Sequence, residues 1–151
     1  MQNVFNPQDA QSYIDRINSL TPSSSAQWGK MSVDQMLAHC NVSYEMIYEQ
    51  EKHKKPGRIA KFILKNFVKS KVVGEKSYPK SSPTAPQFLI KESKDFDLEK
   101  KRLIGFIQKT QQLGKEAFEG KESISFGKLK SDEWNNMLAK HLNHHLEQFN
   151  V

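Results

Sequence analysis

The chain has 151 residues, a formal net charge of +6 and a pI near 9.3. Its single cysteine, Cys40, excludes an intrachain disulfide. No apolar run approaches the roughly 18 residues of a membrane span, and the net charge is modest for a nucleic-acid binder. The length suits one domain over residues 1–151 that buries a core without staples. The lone cysteine, and a first segment MQNVFNPQDAQ with neither the basic nor the apolar region of a secretory leader, make the cytoplasm the expected compartment.

Asn6-Pro7 starts the first helix, with Asn as N-cap and Pro at the first helical position. Ala10, Tyr13, Ile14, Ile17 and Leu20 follow at helical spacing, and Thr21-Pro22-Ser23-Ser24-Ser25 ends it. Ser32 with Gln35 forms a capping box, which predicts a helix from Val33 to about Glu49. That helix carries two adjoining stripes. One is Val33, Leu37, Cys40, Tyr44 and Ile47; the other is Met36, His39, Ser43 and Met46. Two stripes imply two packing neighbours. Cys40 shares its stripe with Leu37 and Tyr44 and reads as a small buried hydrophobe.

The basic residues are concentrated. From Lys52 to Lys80 the chain carries ten of them against one acid, Glu75. His53 falls in this polar stretch and reads as solvated. A short helix is expected over Arg58–Val72, with Ile59, Phe62, Ile63 and Phe67 on one side, followed by a proline-rich loop from Gly74 to Pro86. Gln87 to Ile90 reads as extended. Asp95 or Asp97 caps the next helix, which carries Leu98, Leu103, Phe106, Ile107, Thr110 and Leu113 and stops at Gly114. Residues 115–130 read as a connection with a turn at Phe126-Gly127. Ser131 is the expected cap of a last helix running to about Phe149. Four long helices and one short accessory helix predict an all-α, antiparallel four-helix bundle. The accessory helix lies in the connection of about 45 residues between the second and third long helices.

The last helix carries the chemistry. His141 and His145 lie four residues apart, on the face that also holds Trp134, Leu138 and Phe149. Imidazoles at that spacing stand one above the other and can reach one metal ion. The same spacing also suits two polar residues at the margin of an apolar face. Gln148 shares the face, within hydrogen-bonding reach of such a site; His144 falls on its outer flank, as a rim residue or a supporting group. His39, on the second helix, is either a third ligand or a hydrogen-bonded histidine between helices. Three neutral imidazoles would leave the ion's charge uncompensated, able to acidify a bound water or a thiol.

Trp28-Gly29-Lys30-Met31-Ser32-Val33-Asp34-Gln35-Met36-Leu37-Ala38-His39 resembles the region around the first metal histidine of the DinB/YfiT-like superfamily, and His141, His145 and Gln148 resemble its C-terminal His-x-x-x-His-x-x-Gln pattern. Ser82-Pro83-Thr84-Ala85-Pro86 and the ending from Lys140 to Phe149 resemble, more specifically, a branch known as a domain of unknown function. The resemblance implies a four-helix bundle with a divalent-metal site, commonly zinc or nickel, at His39, His141 and His145. It also implies a reaction among metal-dependent hydrolyses or transfers using a low-molecular-weight thiol, and a homodimer.

The expectation is a metal-dependent enzyme, a thiol-dependent transferase or a hydrolase, acting on a small and anionic molecule. The alternative is a non-catalytic helical binding module with a basic surface and a vestigial or structural histidine site. The basic segment reads first as a solvated rim. A lipid surface is a second reading, because Ile59, Phe62, Ile63 and Phe67 oppose Lys54, Lys61, Lys65 and Lys69. With the apolar stripe packed inward, neither membrane nor nucleic acid is expected as a partner.

Overall fold

The computed structural model describes residues 2–151, and the chain is mostly helical. Helix α1 (Pro7–Ser19) starts as its sequence dictates. Asn6 Oδ1 accepts from the backbone N–H groups of Gln8 and Asp9 at 2.9 and 3.1 Å. Helix α2 (Val33–Tyr48) begins with the Ser32 N–H donating to Gln35 Oε1 at 3.1 Å, and both of its stripes are engaged. A continuous rod follows, made of α3 (Arg58–Ile63), a π-helical turn (Leu64–Val68) and α4 (Lys69–Val73). Helix α5 (Phe96–Leu113) is capped by Asp95, which accepts from the Leu98 N–H at 2.9 Å, and ends at Gly114 with φ +72°. Helix α6 (Ser131–Gln148) closes the chain.

The four long helices share one core. Helix α2 lies along α5, where the Tyr44 and Phe106 rings stack at 5.7 Å and the Tyr48 and Thr110 hydroxyls meet at 2.8 Å. Helix α6 touches α2 and α1, and Tyr13 OH donates to the Ala139 carbonyl at 3.2 Å. Helix α1 also touches α5. Trp134, Tyr13, Tyr44 and Phe118 are the largest fully buried side chains. Among the described residues no helix is long and apolar enough to cross a membrane.

Several local expectations are corrected. The stripe Ile59, Phe62, Ile63 and Phe67 does not pack inward; these side chains are 80%, 64%, 49% and 67% exposed. The long helices already close the core, and the rod turns its other apolar face, Leu64, Val68 and Val72, toward the molecule. Gln87–Ile90 is extended only in part: a 3₁₀ turn covers Pro86–Phe88, started by proline's fixed φ, and the backbone is extended at Leu89. Residues 115–130 contain a small antiparallel hairpin, β1 (Glu122–Ser123) with β2 (Gly127–Lys128). Ser131 is the first residue of α6 rather than its cap. Its hydroxyl and N–H both donate to Glu119, while Glu133 accepts from the Lys130 N–H at 2.9 Å. His53 is not solvated: its Nε2 lies 2.9 Å from Glu45 Oε2, beside an ion-pair cluster in which Arg102 meets Glu45, Glu49 and Glu99.

Helix α6 holds the end of the rod. Lys140 is buried, and its Nζ donates to the carbonyls of Lys71 and Gly74 at 2.8 and 2.6 Å. Asn136 donates to the Val73 carbonyl at 3.1 Å. A cation and an amide thus satisfy the free carbonyls where the rod's dipole is negative.

Candidate metal centre

His39 rises from α2 and His141 and His145 from α6, and the three rings meet. Ring centroids are 4.9 Å apart for His39–His141, 4.5 Å for His39–His145 and 4.8 Å for His141–His145. One ligand nitrogen of each lies within 4.8 Å of the others, close enough for a single ion to gather them with small ring rotations. The sequence reason is the one read from the spacing. An i, i+4 pair on the buried face of α6 meets the edge of the second stripe of α2.

The ring nitrogens facing away from the cluster have partners of their own. His39 Nδ1 lies 2.9 Å from the Phe88 carbonyl, which can only accept, so Nδ1 carries the proton and Nε2 presents its lone pair. His145 Nδ1 lies 2.8 Å from Gln148 Oε1. The Gln148 amide is oriented because its Nε2 donates to the Trp28 carbonyl at 2.6 Å, so His145 Nε2 is free as well. His141 Nδ1 meets Ser43 Oγ at 2.9 Å, a hydroxyl that can accept as well as donate. Metal-bound imidazoles are held in this way, by a partner on the second nitrogen. His39 Nε2 and His141 Nε2 stand 2.9 Å apart, a contact that needs a proton or a cation between two lone pairs.

Burial keeps all three rings neutral. His39 is held below the ordinary histidine range by desolvation, which outweighs its bond to the Phe88 carbonyl. His141 is pushed well below that range by desolvation, with repulsion from His145 and His39 added. His145 is lowered to about 3 by desolvation first and by His39 second. Neutral imidazole is the form that binds metal.

The cluster floors a cavity of about 550 Å³ between α2, α6, the rod and the loop through Ser81–Ile90. Trp28, Trp134, Phe88 and the rod's Leu64, Val68 and Val72 give it apolar walls. Among the described residues no carboxylate lines it, so nothing there offsets a bound cation. His144 is not part of the nitrogen cluster. Its ring packs edge-on against Trp28, Tyr78 and His145 as part of the wall. Cys40 points elsewhere, its Sγ 3.8 Å from Met36 Sδ, and burial pushes its thiol far up, which rules out a ready nucleophile.

Two supports lie in the loop before α2. Gln148 binds the Trp28 carbonyl, and its own carbonyl accepts from the Gln27 N–H at 2.7 Å. Gly29 follows with φ +84°, and a Cβ there would stand 2.6 Å from Gln148 Nε2. Sequence reasoning missed the partners Ser43, Phe88 and Trp28. Ser43 was open to detection, four residues after His39 on the same stripe. The other two act through backbone carbonyls, which no side-chain pattern announces.

Gln148→Leu removes the acceptor that sets the His145 ring. It is expected to weaken zinc binding by about 10- to 100-fold, measured by calorimetric titration, while the helical circular dichroism stays intact.

Fold and site together define a helical protein with a largely buried three-histidine cluster able to hold a metal ion. The chain belongs to the family described as "Protein of unknown function (DUF1569)", which it matches over residues 4–151. Neither the curated proteins nor the solved structures compared with the chain include a match.

Proposed function

We propose that this protein is a divalent-metal-dependent enzyme, with zinc or nickel held by His39, His141 and His145. The single observation that carries the reading is the paired state of the three rings. Each has its Nδ1 held by a protein group, and all three neutral rings converge at the floor of a cavity without carboxylates. We place the chain in the DinB/YfiT-like superfamily, as one domain with its long helices in an antiparallel four-helix bundle. The packing of α1 and α2 against both α5 and α6 supports that arrangement. The cytoplasm as compartment and a homodimer as assembly belong to the same reading.

His39, His141 and His145 would hold the ion as neutral ligands, leaving its charge uncompensated, and the bound ion would supply Lewis acidity toward a water or a low-molecular-weight thiol. The protein's own part is to position. Phe88 and Gln148 fix the tautomers of His39 and His145, and the Ser43 hydroxyl serves His141 in whichever sense its proton requires. The apolar walls exclude water and suit a substrate with an apolar body, and the absence of lining acids suits one with an anionic group. The proposed reaction is a hydrolysis or a thiol-dependent transfer. A non-catalytic binding module is the rival reading, favoured by the exposed apolar and basic rod.

Metal content and melting temperature of untagged protein test the proposal. About one equivalent of zinc or nickel should bind, and an ion at about 100 times its dissociation constant should add about 2.7 kcal/mol of stability. His141→Ala and His145→Ala should each remove most of that shift, while His53→Ala, which only breaks the pair with Glu45, should keep it. Equal metal-dependent shifts in all three variants would overturn the assignment.

A further inference from the structure

The rod Arg58–Val73 has one face that the rest of the protein leaves uncovered. Ile59, Phe62, Ile63 and Phe67 stand at i, i+3, i+4 and i+8, one side of a helix, and each is about half exposed or more. A contiguous patch of large apolar side chains marks an interaction surface. Its surroundings are cationic. Lys61 and Lys69 pair with Glu122 and Glu133, but Lys54, Lys55, Arg58 and Lys65 are exposed with no acidic partner among the described residues. Arg58, four residues before Phe62, and Lys65, three after it, flank that ring.

We propose that this face docks on an anionic lipid bilayer. Ile59, Phe62, Ile63 and Phe67 enter the acyl boundary, and Lys54, Lys55, Arg58 and Lys65 meet the headgroups. Charge complementarity selects this occupant. A second copy docked through the same face would set Arg58 and Lys65 against their own equivalents, a like-charge contact. Nucleic acid would satisfy the cations but would leave Ile59 and Ile63 facing water, since aliphatic side chains give bases nothing to stack on. An anionic bilayer offers both anionic groups and hydrocarbon, and so answers both halves of the face. The opposite side of the same rod, Leu64, Val68 and Val72, lines the histidine cavity. Docking would therefore bring that cavity close to the bilayer, whether or not a metal occupies it.

The test uses the full chain and two kinds of vesicle, phosphatidylcholine alone and the same lipid with about one third phosphatidylserine. Sedimentation should show binding to the second and not the first, weakening as salt rises. Phe62→Ser combined with Phe67→Ser should lower binding by at least about tenfold. Lys54→Glu combined with Lys65→Glu should do the same. All four side chains are exposed, so both variants should melt as the parent does, and a loss of binding will not reflect unfolding. Three outcomes would overturn the proposal: no binding to anionic vesicles at low salt; binding indifferent to the phenylalanine pair; or a concentration-dependent dimer abolished by that pair, which would give the face to a second copy.

Discussion

Metal-free protein is expected to lose stability steeply as the pH falls below about 6.5, the ordinary histidine value. His39, His141 and His145 are all depressed in the folded protein, His145 to about 3. Below 6.5 the unfolded chain therefore binds protons that the folded one refuses. Stability is complete above that pH and is lost as the pH falls toward the folded values. A ring that stays neutral in the folded chain adds at most about 1 kcal/mol over the first pH unit below the ordinary value, so the slope steepens with each of the three that holds off its proton. Thermal melts in chelator between pH 7.5 and 5 measure it. Replacing His145, the ring lowered to about 3, by glutamine should flatten the slope. A melting temperature that does not move across this range would show that the rings are not buried as neutral groups.

Trp134→Ala is expected to cost about 3–5 kcal/mol, the range for emptying a buried aromatic site. Trp134 is 2% exposed and meets the Phe118 ring edge-on at 5.8 Å. At about 2–4 °C per kcal/mol for a chain of this size, the melting temperature should fall by roughly 6–20 °C. The loss should extend to the site, because Trp134 also walls the histidine cavity. A fall of only a degree or two, with metal affinity unchanged, would mean that the core closes over the gap without disturbing α6.

The long helices were legible because their signals are local and agree with one another. Asn6-Pro7, the Ser32/Gln35 pair, Asp95 and Gly114 mark ends, and the apolar spacing between them marks faces. The pairing of His141 with His145 was legible for the same reason. What was not legible depends on competition between surfaces. The rod has two apolar faces, and periodicity alone does not say which one the core has room for; Leu64, Val68 and Val72 took the place expected of Ile59, Phe62 and Ile63. His53 looked solvated from its lysine neighbours, yet Glu45, eight residues earlier, reaches it. The hairpin at Glu122–Lys128 is held by pairing only two residues long on each strand, too short for an alternation to appear.

The hydrogen bonds between Gln148 and the backbone of Gln27 and Trp28 tie the loop before α2 to the site. Gln148 orients the His145 ring only while the loop backbone lies close enough for the Trp28 carbonyl to hold its amide. Gly29 permits that approach, since any side chain there would crowd the same amide and strain a backbone at φ +84°. A surface loop is ordinarily where a lineage accumulates change at little cost. Here the loop is answerable to a ring more than one hundred residues away in the chain, and a side chain at position 29 is expected to disturb that ring through the Gln148 amide.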